Sequence, residues 1–104
     1  MTLECVVDTG FSGGLLIPLS TFESLGLLVD LVPDEYLVVM PDSRKVALYT
    51  ASEEAAVGSA RVHTLVHAAS TIDKKLVGRE FLRAFVTTLD GPSETLTLSE
   101  QTPP

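Results

Sequence analysis

The sequence predicts a small, mainly β domain with antiparallel pairing and one or two short helices. About seven short β-prone runs are separated by turns rich in Gly, Pro, Asp and Ser. Only two segments carry helix signals, and most runs are joined by turns rather than by crossover helices, which disfavours a doubly wound parallel sheet. The chain of 104 residues is 45% hydrophobic, as expected for one globular domain. We predict a domain over residues 1–98 and a disordered tail over 99–104.

Two β-prone runs open the chain. Residues 3–7 contain β-branched side chains and end at the turn residues Asp8-Thr9-Gly10. Residues 15–19 form a second apolar run after Gly13-Gly14, and its Pro18 is expected at a strand end, where the missing N–H does no harm.

A short helix is expected over residues 21–25. Ser20 and Glu23 have the spacing of a capping box, in which the Ser side chain caps the first turn and the Glu side chain reaches back. Gly26 follows at the position where a helix commonly ends.

Two hairpins are predicted in the middle of the chain. The first pairs residues 36–40 with 46–50 and has an exposed polar tip, Pro41-Asp42-Ser43-Arg44-Lys45. The second pairs residues 53–57 with 61–67 across Gly58-Ser59.

The last third of the chain is expected to contain a helix between short strands. Phe81, Leu82 and Phe85 have the spacing of one apolar face, which predicts a helix over residues 79–85. The other expected features are a loop over 70–75, a strand over 76–78, a turn at 90–92, a half-buried strand around Leu96 and Leu98, and a disordered end over 101–104.

Charge and cysteine content limit the function classes. The net charge of -7 would repel nucleic acid and anionic membrane surfaces, so neither is an expected partner. The one cysteine, Cys5, cannot form an intrachain disulfide and suits a reducing compartment. We expect a cytoplasmic protein in which Cys5 is a buried, inert thiol.

The Asp8-Thr9-Gly10 sequence is the strongest chemical signal. It directly follows an apolar strand, so one carboxylate is delivered at a sharp turn. The Gly allows close approach of a backbone, and the Thr hydroxyl can anchor the turn. Two carboxylates in contact cannot both ionise, which gives one the role of acid and the other that of base. A single Asp does not provide this division.

Two longer motifs contain these residues. The N-terminal block comprises Val7-Asp8-Thr9-Gly10-Phe11-Ser12-Gly13, Leu16-Ile17-Pro18 and Leu25-Gly26-Leu27, and the second motif, about 70 residues later, is Leu76-Val77-Gly78-Arg79-Glu80-Phe81-Leu82. Together they resemble the single-domain, retropepsin-like aspartic proteases of clan AA, in particular the microbial family with an Asp-Thr-Gly-Phe signature. The resemblance covers roughly residues 5–90.

The resemblance implies a small closed antiparallel β barrel of the acid-protease type and an aspartic-type endopeptidase, a hydrolase without a cofactor. Asp8 would be the catalytic aspartate, with Thr9 and Gly10 supporting its turn. The tip residues Pro41, Asp42, Ser43, Arg44 and Lys45 would form a flap over a bound peptide. Gly78 and Arg79 would start a helix that packs beneath the catalytic turn.

A homodimer is required if the protein is an active protease. The chain contains no second Asp-Thr-Gly or Asp-Ser-Gly, so a pair of carboxylates needs one Asp8 from each of two copies. The alternative is a catalytically inactive binding or dimerisation module with the acid-protease fold, or an N-terminally truncated fragment, since only seven residues precede Asp8.

Other candidate sites rank lower. His63 and His67 lie on one face of a predicted strand and could suggest a metal site with Cys5, but their spacing fits no standard zinc pattern, so half-exposed strand histidines are favoured. Ser12 lacks the frame of a nucleophilic serine and is interpreted as a turn residue. The adjacent Glu53-Glu54 pair is interpreted as a solvated strand edge.

Overall fold

The computed structural model describes residues 3–40, 42–57, 60–90 and 95–100, with side chains as far as Phe85. These residues form eight strands, two α-helices and one 3-10 helix. The strands are β1 (Val6–Val7), β2 (Leu15–Pro18), β3 (Tyr36–Val39), β4 (Lys45–Val57), β5 (Ala60–Ala69), β6 (Leu76–Val77), β7 (Phe85–Asp90) and β8 (Thr95–Glu100); the helices are α1 (Leu19–Ser24), the 3-10 helix Leu27–Asp30 and α2 (Arg79–Leu82).

A six-stranded sheet, curled into a half-barrel, organises the fold. Its strand order is β1-β6-β2-β5-β4-β3, and β7 pairs with β8 in a separate two-stranded sheet. Most pairings are antiparallel, but β1 runs parallel to β6 and β2 runs parallel to β5. The mainly β class with two short helices is confirmed. In the described residues β1 and β3 are the two ends of the sheet, so closure of the barrel stays a prediction.

The two middle hairpins share one long strand. Sequence analysis predicts separate strands over residues 46–50 and 53–57, whereas β4 is continuous over 13 residues. Its first part pairs with β3, with Val39 opposite Lys45, and the remainder pairs with β5, with Val57 opposite Ala60. The two residues between the predicted strands, Ala51 and Ser52, lie inside β4, because the strand changes its pairing partner without a turn.

The predicted capping box of α1 is wrong. Helix α1 starts at Leu19, its N-cap is Pro18, and no side chain caps it. Pro18 holds its φ at -60° in an extended conformation, which fixes the strand-to-helix boundary before Ser20. The C-terminal prediction is confirmed: Gly26 adopts φ 74°, and its N–H donates to the carbonyl of Glu23 at 2.9 Å.

Helix α2 is shorter than predicted. It ends at Leu82 rather than at residue 85, and Phe85 begins β7. The predicted apolar face is nevertheless buried, and the Phe81 and Phe85 rings lie 5.5 Å apart. The β-prone residues after Phe85 therefore extend the chain as a strand, which sequence analysis did not predict.

The hydrophobic core packs against one face of the curled sheet. Ile17, Phe22, Ala51 and Ala68 are fully excluded from solvent there. Strand β2 lies between two other strands and supplies Leu15 and Ile17 to this cluster, whereas Leu16 between them is buried on the opposite face. The other buried members of this cluster are Leu15, Leu27, Val66, Phe81 and Phe85.

The end of the chain is described only in part. Strand β8 continues to Glu100, two residues past the predicted domain boundary at 98. The predicted turn at 90–92 lies between β7 and β8, and residues 91–94 and 101–104 lie outside the described residues. Among the described residues, no helix is both long and apolar enough to cross a lipid bilayer.

Candidate active site

Asp8 lies at the end of β1, where the edge of the sheet meets a tight turn. Its N–H donates to the carbonyl of Val77 at 2.9 Å, which continues the parallel pairing of β1 with β6 by one residue. The strand therefore fixes the backbone of Asp8 before the turn starts. Its side chain is half-buried, whereas Thr9 and Gly10 are exposed.

The turn is closed by two hydrogen bonds that involve Asp8. The N–H of Phe11 donates to the main-chain carbonyl of Asp8 at 3.1 Å, which makes residues 8–11 a β-turn. The N–H of Gly10 donates to Asp8 Oδ1 at 2.9 Å, an Asx-type contact. Asp8 Oδ2 accepts no hydrogen bond from the described residues. One carboxylate oxygen thus positions the group and the other is available to a ligand.

The structure brings the second motif into contact with this turn. Four backbone hydrogen bonds join residues 8–14 to residues 77–80. Three are donated by the start of α2, whose first N–H groups have no partner within the helix. Besides the bond from Asp8, they run from Gly78 to Gly14 at 2.8 Å, from Arg79 to Phe11 at 2.9 Å and from Glu80 to Gly13 at 3.1 Å.

Gly78 makes this close contact possible, and Gly14 allows the other end of the turn segment to approach β5. A Cβ at Gly78 would collide with the carbonyl oxygen of Gly13 and with the ring of Phe11. A Cβ at Gly14 would collide with Thr64 Oγ1 and the carbonyl oxygen of Leu65. Gly78 has ordinary extended φ and ψ, so it is required by the approach of the backbones rather than by its own conformation.

His67 joins the Asp8 turn to the base of the first hairpin. Its ring packs edge-on against Phe11, with centroids 6.1 Å apart, and lies 5.1 Å from the ring of Tyr36. His67 Nδ1 and Thr50 Oγ1 share a hydrogen bond of 2.7 Å. The imidazole therefore contacts β3, β4 and the turn at the same time.

The expectation of two half-exposed strand histidines is wrong for His67. Its exposed fraction is 3%, whereas His63 on the same strand is exposed. Burial lowers the pKa of His67 from 6.5 to about 4, so the ring is neutral at pH 7. Alternation along one strand could not reveal this, because the burial comes from Tyr36 and Thr50 on other strands.

No family model, curated protein or solved structure matches this chain.

The predicted flap residues form the exposed tip of the first hairpin. Ser43 adopts φ 69°, a left-handed conformation that closes the turn. The N–H of Met40 donates a hydrogen bond to the carbonyl of Arg44 at 2.8 Å. Arg44 Nε forms an ion pair with Asp42 Oδ2. Asp42 and Lys45 are exposed, and Pro41 lies outside the described residues. The tip is held by its own contacts, while the base of the hairpin reaches the Asp8 turn through Tyr36 and His67.

The remaining candidates are separated in space or engaged elsewhere. Among the described residues, no group of three or more His, Cys, Asp and Glu side chains could hold a metal ion. Cys5 is half-buried, and burial raises the pKa of its thiol, partly offset by Lys75. Glu54 pairs with Arg61 at 3.0 Å. Ser12 is exposed in the turn between Phe11 and Gly13.

The arrangement can position one carboxylate with high precision. Backbone hydrogen bonds from two separate segments fix the turn, and the carboxylate is half-exposed at the end of a strand. Such a group can bind a water molecule or accept a proton. An acid and base pair would need a second carboxylate from outside this turn.

Proposed function

We propose that this chain is an aspartic endopeptidase of the retropepsin-like type, with a closed acid-protease barrel, that acts as a cytoplasmic homodimer. The observation that carries the proposal is the joining of the Asp8 turn to the Gly78-Arg79 segment by four backbone hydrogen bonds. The two motifs on which the family resemblance rests lie about 70 residues apart in the chain. They meet at this turn, and their hydrogen bonds fix the backbone that carries the Asp8 carboxylate.

The composition of the turn supports a dimeric site. Each chain supplies one Asp8, so the pair forms when two copies meet at a two-fold axis. Thr9 and Gly10 are exposed beside Asp8 and are the residues that would lie against the partner copy. Because a chain of this size buries only about two thirds of its unfolded surface, dimer formation would also add burial.

The chemistry follows from two carboxylates that share one proton. The ionised Asp8 of one copy removes a proton from a water molecule, whose oxygen attacks the carbonyl carbon of the peptide bond. The protonated Asp8 of the other copy donates a hydrogen bond to the carbonyl oxygen. The carbon–nitrogen bond of the tetrahedral intermediate breaks as the proton taken from water passes from Asp8 to the leaving nitrogen. No covalent bond to the protein is formed. The substrate would be an extended peptide under the tip residues 41–45.

The test is peptide cleavage by an Asp8→Asn variant. The protein is incubated with a mixed peptide library between about pH 5 and pH 7, with and without a statine-type transition-state mimic. Cleavage by the unchanged protein should be blocked by the mimic, and Asp8→Asn should lower the rate by at least about 10³-fold, because an amide cannot act as the base. The matched control is Asp73→Asn, an exposed loop carboxylate, which should retain full activity.

Two results would overturn the proposal. One is full activity of Asp8→Asn. The other is an unchanged protein that sediments as a monomer at micromolar concentration and cleaves no peptide, which would favour a non-catalytic binding module.

A further inference from the structure

A groove with an apolar floor runs along the second half of β4. Its volume is about 680 Å³, within the range of pockets that hold ligands. Buried core side chains form its floor, namely Leu15, Leu27, Val66 and Phe81. Asp8 is not among the described residues that line it, but its neighbours Val7 and Val77 are, so the groove borders the proposed catalytic site without containing its carboxylate.

One wall of the groove is the edge of a strand. All five consecutive residues from Glu53 to Val57 line it. Successive side chains of a strand point to opposite faces, so a groove that touches all five runs along the edge of the strand rather than over one face. Within the described residues this part of β4 pairs only with β5, and the partners on its other side stop at the Leu31–Ala51 bridge. An unpaired strand edge is a template for another strand.

Residues 3–7, which end in β1, also line the groove and present alternate side chains to it. Leu3, Cys5 and Val7 line the groove, whereas Glu4 and Val6 are exposed. Every second side chain of this segment therefore faces the groove, where it can contact a bound peptide whose apolar side chains also alternate along the chain. Five residues of β4 span about 17 Å, which fits an occupant of five to seven residues in extended form.

The rim at one end of the groove is acidic. Glu53 lies next to Asp30, and burial followed by the Asp30 charge raises the pKa of Glu53. Glu54, beside it, already has a partner in Arg61. A cation placed at this end would relieve the repulsion between Glu53 and Asp30 and would be attracted by the net charge of -7.

We propose that this groove binds an extended peptide segment of a partner protein, which adds to the edge of β4 over Glu53–Val57, alternates apolar with polar side chains, and places a Lys or Arg beside Glu53 and Asp30. Main-chain hydrogen bonds to β4 would provide affinity, and the alternate apolar side chains would fill the space between Leu3, Cys5 and Val7. The inference does not depend on catalysis by Asp8.

The test measures fluorescence anisotropy of labelled peptides with the full-length protein. The probes are seven-residue peptides in which Val alternates with Thr and one Thr is replaced by Lys at each position in turn. The best Lys peptide should bind at least tenfold more tightly than the same peptide with Glu in place of Lys, because the ion contact becomes a repulsion. N-methylation of its backbone should abolish binding, and a statine-type mimic should not displace it.

Variants of the protein locate the contact. Glu53→Gln should weaken the Lys peptide about threefold and leave an uncharged Val-Thr peptide unchanged, as expected for one exposed ion pair. Glu54→Gln is the matched control and should change neither. Ala55→Lys, inside the groove, should abolish binding, whereas Ala47→Lys on the exposed part of the same strand should not.

Several results would overturn the proposal. They are the absence of binding by every peptide of the set, equal binding of Lys and Glu peptides, and unchanged binding by the N-methylated peptide. Conversion of a dimer to a monomer by Ala55→Lys would mean that a second copy of the chain occupies the groove. Because Ala55→Lys alters a partly buried position, the surface change Glu53→Gln keeps the test valid if that variant does not fold.

Discussion

Gly78 lies where the start of α2 meets the Asp8 turn, and the space there admits no side chain. Its Cα faces the carbonyl oxygen of Gly13 and the ring of Phe11. We predict that Gly78→Ala lowers the free energy of unfolding by about 3 kcal/mol, because the backbone of the turn must move away. Urea denaturation checks the loss of stability, and any peptide cleavage should fall with it, since the same movement displaces Asp8.

The control for Gly78→Ala is Gly26→Ala. Gly26 has φ 74° but no atom within 4 Å of its added Cβ, so the change introduces backbone strain without a collision. It should cost about 1 kcal/mol. An equal loss of stability in the two variants would contradict the steric explanation for Gly78.

The second prediction at the residue scale concerns pH. The folded protein holds His67 neutral with a pKa of about 4, whereas the unfolded chain has an ordinary value of 6.5. The unfolded state therefore binds a proton first as the pH falls. The contribution of the neutral His67 ring to the free energy of unfolding is fully present above pH 6.5. It falls by about 3 kcal/mol in total as the pH is lowered from about 6.5 to 4.

Paired variants separate this effect from titration of the carboxylates. His67→Gln removes the titrating ring, so its free energy of unfolding should depend less on pH between 6.5 and 4 than that of the unchanged protein. His63→Gln, at an exposed position four residues earlier on the same strand, should keep the original dependence. Identical pH profiles for the unchanged protein and His67→Gln would show that His67 does not carry the linkage.

Sequence patterns located Asp8 and Gly78 but not His67, for a physical reason. A turn after a strand and a glycine at a close approach leave local signals in residue type. The environment of His67 is created by Phe11, Tyr36 and Thr50, which are distant in the chain. The sequence pattern that could have indicated it is the run of small and apolar residues around it in β5, which is typical of a strand buried on both faces.

At the scale of elements, the start of α1 shows how a stronger constraint overrides a motif. Pro18 fixes the boundary, so Ser20 lies inside the helix, where its carbonyl accepts a hydrogen bond from Ser24 Oγ at 2.8 Å. We predict that Ser20→Ala changes the free energy of unfolding by less than about 0.5 kcal/mol, or stabilises slightly, because Ala favours helix. A true N-cap would cost about 1 kcal/mol. Thermal or urea denaturation distinguishes the two, and a loss near 1 kcal/mol would restore the capping box.

Strand β4 marks the limit of element prediction. The strand ends that flank the two hairpin turns are encoded locally and were predicted to within one residue: β3 ends at Val39, β4 runs from Lys45 to Val57, and β5 begins at Ala60. The predicted turn residues Gly58 and Ser59 lie outside the described residues. The continuity of the strand through Thr50, Ala51 and Ser52 depends on a change of partner from β3 to β5, which no local pattern records. The same applies to β7, because residue spacing alone did not separate the end of α2 from the start of a strand.

At the scale of the whole molecule, the half-barrel presents a single Asp8 and two sheet ends, β1 and β3. If the proposed acid and base pair consists of two Asp8 side chains, activity is a property of the dimer. Activity should therefore rise with the square of protein concentration below the dissociation constant of the dimer and linearly above it. This relation distinguishes a shared site from one that each copy carries alone.

Mixing the unchanged chain with Asp8→Asn tests the shared site directly. Above the dissociation constant, random exchange with an equal amount of the variant should reduce total cleavage to about half, and a ninefold excess should reduce it to about a tenth, because mixed dimers hold one carboxylate. The matched control is the double variant Asp8→Asn, Gly78→Arg, added in the same amounts. The arginine side chain at position 78 should disrupt the Asp8 turn. This chain should enter mixed dimers poorly and leave cleavage nearly unchanged. If an isotope-labelled Asp8→Asn chain leaves total cleavage unchanged at every ratio while native mass spectrometry shows mixed dimers, each copy works alone, and the second carboxylate must come from the same chain.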